Sequence, residues 1–506
     1  MPVRLGPQPL NLLVSYLELL RLAAPEAIIV LIALGVLTIG LTSQRARNLP
    51  AFISALGILF AIWTTVRLPQ QANLFGGMLV VSPLNSLFKV VCLALAFVTV
   101  PLVASEKDLR NPGEYLTMLL LGTLGLLLLV GSEELLMIFI GLELLGLSLY
   151  VLAAFDKTDQ RSAEAGLKYF LFGSTASAFT LFGISLVYGM SGSTSLASIG
   201  LKLTGSIQPL LAVGIVMTLI GFAFKIAAAP FHLWAPDAYQ GAPIPSAAFI
   251  ASGSKVAAFV VLGKIVLIGF GPVHGSADWH AMIAGWSPVL AGLAALSILL
   301  GNFVALAQTN VRRLLAYSAV AHAGYTLLGL VAGGREGFSA TLFYTTIYAI
   351  TLIGAFAVVG FVKRETGGDD FQNFAGLASR APVVAACMAV FMLSLAGLPP
   401  LAGFFGKFYL FSAAFRAGTN HGLLWLVVVA LFGSFISLYY YLIVLKIVFV
   451  DKGPSSETRD SSQVPVRLGL SGHFVAYATM AILAAAVLLL GVLPQTLAAA
   501  IARSVP

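Results

Sequence analysis

The chain has 506 residues, of which 59% are hydrophobic and 9% charged, with a mean hydropathy of +0.98 and a formal net charge of +8. Soluble domains carry about 25% charged residues, so this composition excludes a soluble enzyme, a disordered chain and a nucleic-acid binder. It specifies an all-α polytopic membrane protein with no sizeable soluble domain.

A transmembrane helix needs roughly 20 apolar residues, and such runs follow one another with short loops between them. Fourteen spans are expected, at about 24–42, 49–66, 80–104, 115–131, 133–154, 163–190, 207–228, 246–270, 286–307, 313–332, 338–362, 383–413, 421–449 and 472–496. None alternates as a barrel strand does, and helices are then the only structure that satisfies the backbone in lipid. The segment before the first span is not expected to be a cleavable signal. Pro2, Pro7 and Pro9 crowd it, and Glu18 interrupts its apolar stretch. The first long run is expected to remain as a span.

Basic residues divide unevenly between the two faces. The loops after odd-numbered spans, with their edges, hold 14 of the 28. The other face, with both termini, holds 7: Arg4, Arg21, Arg67, Lys202, Arg335, Arg416 and Arg503. The positive-inside rule puts the richer face in the cytoplasm and both termini outside.

The remaining seven are lysines inside spans: Lys89, Lys168, Lys225, Lys255, Lys264, Lys407 and Lys446. One carboxylate, Glu143, sits near the middle of span five in IGLELLGL. A charge at the midplane costs about 2.5–3.5 kcal/mol on insertion scales. Such residues line a pathway or pair with each other, unless they snorkel to the headgroups. Lys89 and Lys446 lie near expected span ends and are expected to snorkel, so Lys89→Ala should have little effect. Lys264 stands between the two cases. Glu143, Lys225, Lys255 and Lys407 lie deep or beside a helix break and are the main candidates for a proton relay. A buried lysine is held neutral by desolvation and charged by a neighbouring carboxylate, so moving one partner switches its charge. A sodium site would want several oxygens instead.

Span six adds Glu164 and Lys168, four residues apart on one helical face. Their pairing fits either a relay position or ordinary helix pairing. His232 follows a helix break, and His322 lies in span ten, in AYSAVAHAGY. Histidine carries protons near neutral pH, so both are secondary relay candidates, against the alternative of hydrogen-bonded core residues. His274, His280, His421 and His473 read as loop or interface residues. Cys92 and Cys387 sit in apolar runs, without a CxxC or Cys/His cluster. No iron–sulfur, zinc or other cofactor site is therefore expected on this chain.

Two spans are interrupted. Span seven runs into GFAFKIAAAPFHLWAPDAYQGAPIP, where Lys225 precedes Pro230, and Pro236, Pro243 and Pro245 follow. Span twelve contains LSLAGLPPLAGFFGKFYLF, with Gly397, Pro399, Pro400, Gly403 and Gly406 before Lys407. Proline removes a donor and clashes one turn back. Backbone freed in a membrane is tolerated only where it lines a cavity or is buried in protein. Two broken spans five apart, each with a lysine, suggest an inverted repeat. Residues 115–270 (spans four to eight) would form one copy and 286–450 (spans nine to thirteen) the other. Residues 1–114 precede them, and 451–506 add a cytoplasmic loop and span fourteen. Glu143 on span five then corresponds to His322 on span ten, and Lys225 to Lys407.

The motif FKIAAAPFHLWAPDAYQGAPIPSAAFIASGSKVAAF resembles the antiporter-like membrane subunits of respiratory complex I, and GLPPLAGFFGKFYLF supports the likeness. RSAEAGLKYFLFGSTASAF resembles the sixth span of the subunit N family in particular. The resemblance covers nearly the whole chain. The L family carries a long lateral helix after its core, whereas this chain closes about ten residues after span fourteen. The M family usually has a glutamate on the broken twelfth helix, where this chain has Lys407, as N does. The resemblance implies a proton-translocating subunit in a bacterial inner membrane, with subunits M and K as neighbours. It assigns Glu143 and Lys225 as the Glu–Lys pair, Lys255 as the central lysine and Lys407 as the terminal one. Lys168 and His232 match further relay positions. NADH, FMN, iron–sulfur clusters and quinone would be handled by other subunits. The mechanism implied is electrostatic: opening or closing the Glu143–Lys225 pair alters the charge on Lys225, and the change passes to Lys255 and Lys407.

The nearest alternatives are a Mrp-type sodium/proton antiporter and a membrane-bound hydrogenase subunit. A membrane haem enzyme needs facing axial ligands, and only His322 lies deep in a span. A purely structural scaffold would have no need of a buried acid and several buried lysines.

Overall fold

Proline, glycine and one serine decide where the apolar runs of this chain stop being continuous helices. The computed structural model describes residues 16–42, 48–106, 109–203, 207–417, 421–452 and 470–505, without the side chains of 16, 17 and 470–473. Pro2, Pro7, Pro9, Arg4, Arg45, Arg47, Lys107, Arg459, Arg467 and the side chain of His473 lie outside the described residues.

The short helix α1 (Tyr16–Leu22) leads into α2 (Ala24–Thr42) and α3 (Leu49–Val66). A two-stranded antiparallel ribbon follows, β1 (Ala72–Leu74) with β2 (Leu79–Val81). Then come α4 (Pro83–Ser105), α5 (Pro112–Gly131), α6 (Leu135–Ala153) and α7 (Gln160–Ser191). After the small α8 (Leu196–Lys202), α9 (Pro209–Lys225) stops at the first break, and α10 (Trp234–Gly241) resumes beyond it. The next apolar run is α11 (Ile244–Ala251), α12 (Gly253–Lys264) and a wide π turn over Ile265–Gly269. Three long helices follow: α13 (Trp286–Leu306), α14 (Val311–Ala332) and α15 (Gly334–Thr366). Two single-turn helices, α16 (Phe371–Phe374) and α17 (Leu377–Arg380), lead to α18 (Pro382–Ala396), which ends at the second break, and α19 (Ala402–Arg416). The chain closes with α20 (Leu424–Phe449), α21 (Leu470–Val492) and α22 (Pro494–Ser504).

Among the described residues, twelve helices are long and apolar enough to cross a membrane. Two shorter apolar helices, α9 and α18, are the halves that stop at the breaks. The breaks fall where the sequence puts them, and each contains a cis X–Pro bond, Ala229–Pro230 and Pro399–Pro400. The run expected as one span over 246–270 is itself interrupted. Ser252 leaves helical geometry at φ −114° and ψ −81°, and its hydroxyl donates to the Ala248 carbonyl at 2.6 Å. No proline marks this break, which puts Lys255 in the first turn of α12. The ribbon between α3 and α4 and the C-terminal α22 are further elements outside the fourteen expected runs.

The bundle has a layered burial. In α14, α15 and the run Ile244–Gly269, 94% of the apolar window is buried, against 28% in α2. The centre therefore consists of helices that touch protein on all sides, and the outer helices present Leu, Phe and Val to their surroundings. Where backbones meet closely, glycine makes it possible: a Cβ on Gly113 of α5 would lie 2.6 Å from the Gly40 Cα of α2.

Candidate functional site

The first break exposes backbone carbonyls at the end of α9, and aromatic side chains cover them. Trp234 donates its indole N–H to the Phe224 carbonyl at 3.0 Å. Its ring stacks on Tyr169 with centroids 4.1 Å apart and planes 5° from parallel. Ser297 of α13 accepts the Ala229 N–H at 2.8 Å. Lys225, the last residue of α9, is 1% exposed. Its Nζ lies 3.5 Å from the Tyr169 hydroxyl and 5.7 Å from that ring's centroid. The carboxyl end of a helix carries partial negative charge, so the ammonium sits where the backbone favours it.

Glu143 on α6 faces this lysine but does not pair with it directly. Its carboxylate accepts a hydrogen bond from Ser177 of α7. Between the two lies a cavity of about 10 Å³, lined by Glu143, Ser177, Thr180 and Lys225 among others. That volume is about one water. Glu143 and Lys225 thus stand apart across this cavity, with Ser177 holding the acid. Ser177 stands in the motif of span six, and nothing in its spacing marked it.

The second break builds a different local geometry around the same theme. Gly397 caps α18 at φ +85°. A Cβ there would come within 2.9 Å of Lys407 Cδ. Lys407, on α19, reaches back to donate to the Ala396 carbonyl at 3.0 Å and to Ser434 Oγ of α20 at 2.9 Å. It also sits 5.2 Å from the centroid of Tyr325. The sequence pairs Lys225 with Lys407 as counterparts. In the fold, Lys225 precedes its break and Lys407 follows its own. They are alike in another respect: both ammonium groups rest at the carboxyl end of the first half-helix.

Between the breaks, the central helices assemble a connected array. Lys255 is 2% exposed and donates to the Ala319 carbonyl of α14 at 2.8 Å. It lies 5.5 Å from the centroid of Tyr348. His322, one turn further along α14, is 5.0 Å from the same ring, centroid to centroid. Its Nδ1 shares a hydrogen bond with the Tyr344 hydroxyl at 2.5 Å, and its Nε2 one with Tyr441 at 3.0 Å. Tyr441 in turn bonds Ser318. Tyr325, whose ring centroid is 5.6 Å from that of His322, is the ring Lys407 approaches. Asn302 of α13 donates to the Tyr325 hydroxyl at 2.9 Å and accepts from Tyr440 at 3.0 Å. Lys255, His322 and Lys407 therefore share one buried cluster of tyrosine rings, with hydroxyl hydrogen bonds centred on His322, while Lys225 stands apart beside Glu143.

The secondary candidates separate. Lys168 joins Glu164 at 2.5 Å and Asp237 of α10 at 2.7 Å. Asp237 also accepts from Arg313 of α14 at 2.8 Å. This network ties α7, α10 and α14 together at one end of the bundle. His232 is buried at 4% exposure, with its Nδ1 unpartnered among the described residues and its ring 6.3 Å from that of Tyr317. Lys264 is buried at the other end, near Glu133. Lys446 is 66% exposed, close to Asp451 at 3.9 Å. Lys89 contradicts the expectation of snorkelling. It is 1% exposed and pairs with Glu26 of α2 at 2.6 Å, because its side chain points into the bundle although its position along the helix is near an end.

A larger cavity of about 600 Å³ opens at the Asp237 end, with Arg110, Asp156, Lys157, Lys363 and Arg364 in its wall. In the loop over 154–159, the Thr158 hydroxyl donates to Asp156 at 2.7 Å and holds that carboxyl below the usual carboxylate range.

Residues 132–437 match the family model described as NADH:quinone oxidoreductase/Mrp antiporter, TM. The chain is 45% identical to NADH-quinone oxidoreductase subunit N 2 of Acidobacterium capsulatum, over 96% of this chain and 98% of that one. A chain in the structure of respiratory complex I from Thermus thermophilus is 33% identical, with a TM-score of 0.78, covering 95% of this chain and 100% of that one. A chain of the Mrp complex from Dietzia sp. has a TM-score of 0.80 at 20% identity, covering 96% and 97%, a likeness of fold alone.

Proposed function

The chain belongs to the NADH:quinone oxidoreductase/Mrp antiporter family and, within it, to the subunit N relatives of NADH-quinone oxidoreductase; from that premise we propose that it is a proton-translocating membrane subunit of this complex. The observation that carries the proposal is the buried aromatic cluster in which Lys255 and Lys407 approach the rings of Tyr348 and Tyr325, both packed against His322, whose own nitrogens share hydrogen bonds with the Tyr344 and Tyr441 hydroxyls. A fixed charge at that depth costs several kcal/mol. A lysine that exchanges its proton with a neighbour bears that cost only part of the time.

In this reading Glu143 and Lys225 form the switch. With the cavity between them open, Ser177 stabilises the carboxylate and Lys225 lacks a direct counter-ion. Closing the pair favours the ammonium, and opening it again releases the proton toward Lys255. His322 passes it among the tyrosines, and Lys407 delivers it to the outer side. Lys168 and His232 serve the entrance. The Pro230 and Pro399–Pro400 breaks give these lysines helix carboxyl ends to rest on. The halves 115–270 and 286–450 act as inverted copies, with the broken segments completing fourteen spans. The chain carries no redox centre and binds no cofactor. NADH, FMN, iron–sulfur clusters and quinone belong to other subunits, and M and K are its neighbours. Both termini lie on the non-cytoplasmic side of the bacterial inner membrane.

The test is to place Lys225→Ala and Glu143→Ala in the whole complex, follow assembly by native-gel migration with in-gel NADH oxidation, and measure pumping in vesicles. Assembled complex with impaired pumping is expected, and normal pumping would refute the relay. Migration in a smaller band without NADH oxidation, with activity dependent on sodium, would instead favour the Mrp-type reading.

A further inference from the structure

Four charged residues meet at the ribbon end of the bundle, away from the network described above. Glu26 lies in the first turn of α2, and its carboxylate is 2.6 Å from Lys89 Nζ of α4. The two side chains are 8% and 1% exposed. Facing them is Gly131, the last residue of α5. A Cβ on Gly131 would lie 2.8 Å from Lys89 Cε and 3.0 Å from its Nζ, so the missing side chain is the space the ammonium occupies. On either side of Gly131 in the chain, the Val130 and Ser132 carbonyls accept from Lys264 Nζ at 2.8 and 3.3 Å. Lys264 closes α12, and its Nζ is 3.7 Å from Glu133. Two buried ammonium groups thus flank one glycine. They repel each other, and Glu26 neutralises only Lys89.

Glu133 differs from the other three in being 29% exposed. The β-ribbon holds it in place: the Gly77 carbonyl accepts the Glu133 N–H at 2.8 Å and the Ser132 hydroxyl at 3.3 Å. The arrangement therefore runs from a buried pair, through a buried lysine, to a carboxylate that reaches solvent.

Resting on the proton-translocation reading and its orientation, we propose that Glu133 is a second proton-release residue, on the outer side of the first half and separate from the Lys407 exit, with Lys264 as its donor. The Glu26–Lys89 pair positions charge behind Lys264. In the step, an N–H bond of the Lys264 ammonium breaks as an O–H bond forms on Glu133, leaving a neutral amine. Glu133 then gives the proton to the outer solution, and the amine takes the next one from the interior. No electron moves. The positive charge of Lys89 drives the release, and Glu26 limits it.

The experiment uses the whole complex in inverted vesicles, with protons moved per NADH oxidised as the readout and the native-gel band as the measure of assembly. Glu133→Gln, at a half-exposed position, is expected to assemble normally with pumping per assembled complex at least two-fold lower, and Glu133→Asp is expected to restore most of it. Glu26→Gln should lose more than the double variant Glu26→Gln/Lys89→Gln, since only the single change leaves a bare ammonium beside Lys264. A native ratio in assembled Glu133→Gln overturns the release role. A weak Glu26→Gln band with a native ratio overturns the positioning role, because a merely structural pair affects only the amount assembled. Lys225→Ala in the same vesicles separates the two readings. If it abolishes pumping while Glu133→Gln does not, only the release site falls. If both pump normally, the translocation reading itself falls.

Discussion

Backbone carbonyls, more than carboxylates, hold the deep ammonium groups of this bundle. Lys255 donates to Ala319, Lys264 to Val130 and Lys407 to Ala396. A carbonyl accepts a hydrogen bond without carrying a full charge, so the lysine can lose its proton and leave no carboxylate stranded in a dry interior. Lys407 shows how this can be probed. Ser434→Ala removes one of its two acceptors, and a hydrogen bond to a charged group contributes about 1.5–3 kcal/mol. The variant is expected to slow pumping, but less than Lys407→Ala, in a side-by-side vesicle assay. Lys89 calls for a different outcome from the one its position in the sequence suggests. Breaking a buried ion pair by removing one partner costs about 3–5 kcal/mol. Lys89→Ala is therefore expected to lower the urea or detergent concentration at which the chain unfolds, and an unchanged midpoint would contradict this. The sequence shows how far along its helix Lys89 stands but not which way it points. Its partner Glu26 is in another helix, outside any local window. Glu143 was legible because an acid amid IGLELLGL has no bland explanation, whereas Ser177 and Tyr169 look like every other polar or aromatic residue on a helix face.

The two broken helices were readable because proline and glycine act locally: a missing N–H or a left-handed φ disrupts the helix whatever surrounds it. What closes each break is long-range and was hidden. Trp234 reaches back ten residues to the Phe224 carbonyl, and Ser297 comes from a different helix. Trp234→Phe should remove one of the donors to that carbonyl, which keeps the Ala227 N–H at 3.0 Å, at a cost of about 0.5–1.5 kcal/mol, lowering thermal stability modestly. Trp234→Phe with unaltered melting would show that the indole N–H is dispensable. Gly397→Ala combines two penalties. An L-residue at φ +85° costs about 1–2 kcal/mol, and the new methyl meets the Lys407 side chain. Pumping is expected to fall several-fold in assembled complex, with Gly397→Asn, which tolerates the left-handed region better, less affected in stability. The interruption at Ser252 had no proline to announce it, and a serine that bonds the carbonyl one turn back looks in the sequence like any other serine in an apolar run.

For the molecule as a whole, the proposed orientation has a direct check. Cys92 and Cys387 are buried, so single introduced cysteines can be labelled against a low background. Arg503→Cys and Lys157→Cys both stand at exposed positions. A membrane-impermeant maleimide is expected to label the first in intact cells and the second only after permeabilisation; the reverse pattern would invert the topology. The overall class was fully legible from composition, since hydropathy integrates over hundreds of residues, while the layering of helices around a protein-only centre depends on packing no single segment encodes. That layering bears on biogenesis. The run Ile244–Gly269 carries Lys255 and Lys264 and ends up 94% enclosed by protein. Entering lipid alone, Lys255 would add about 2.5–3.5 kcal/mol on insertion scales, and Lys264, at the end of α12, a smaller further cost. A nascent chain delivering this segment from the translocon must therefore retain it until the carbonyls of Val130 and Ala319 are at hand. Ala319 is translated after Lys255, so the middle of the protein leaves the insertion machinery as a group of helices, and a ribosome stalled between them would strand a segment the membrane does not accept.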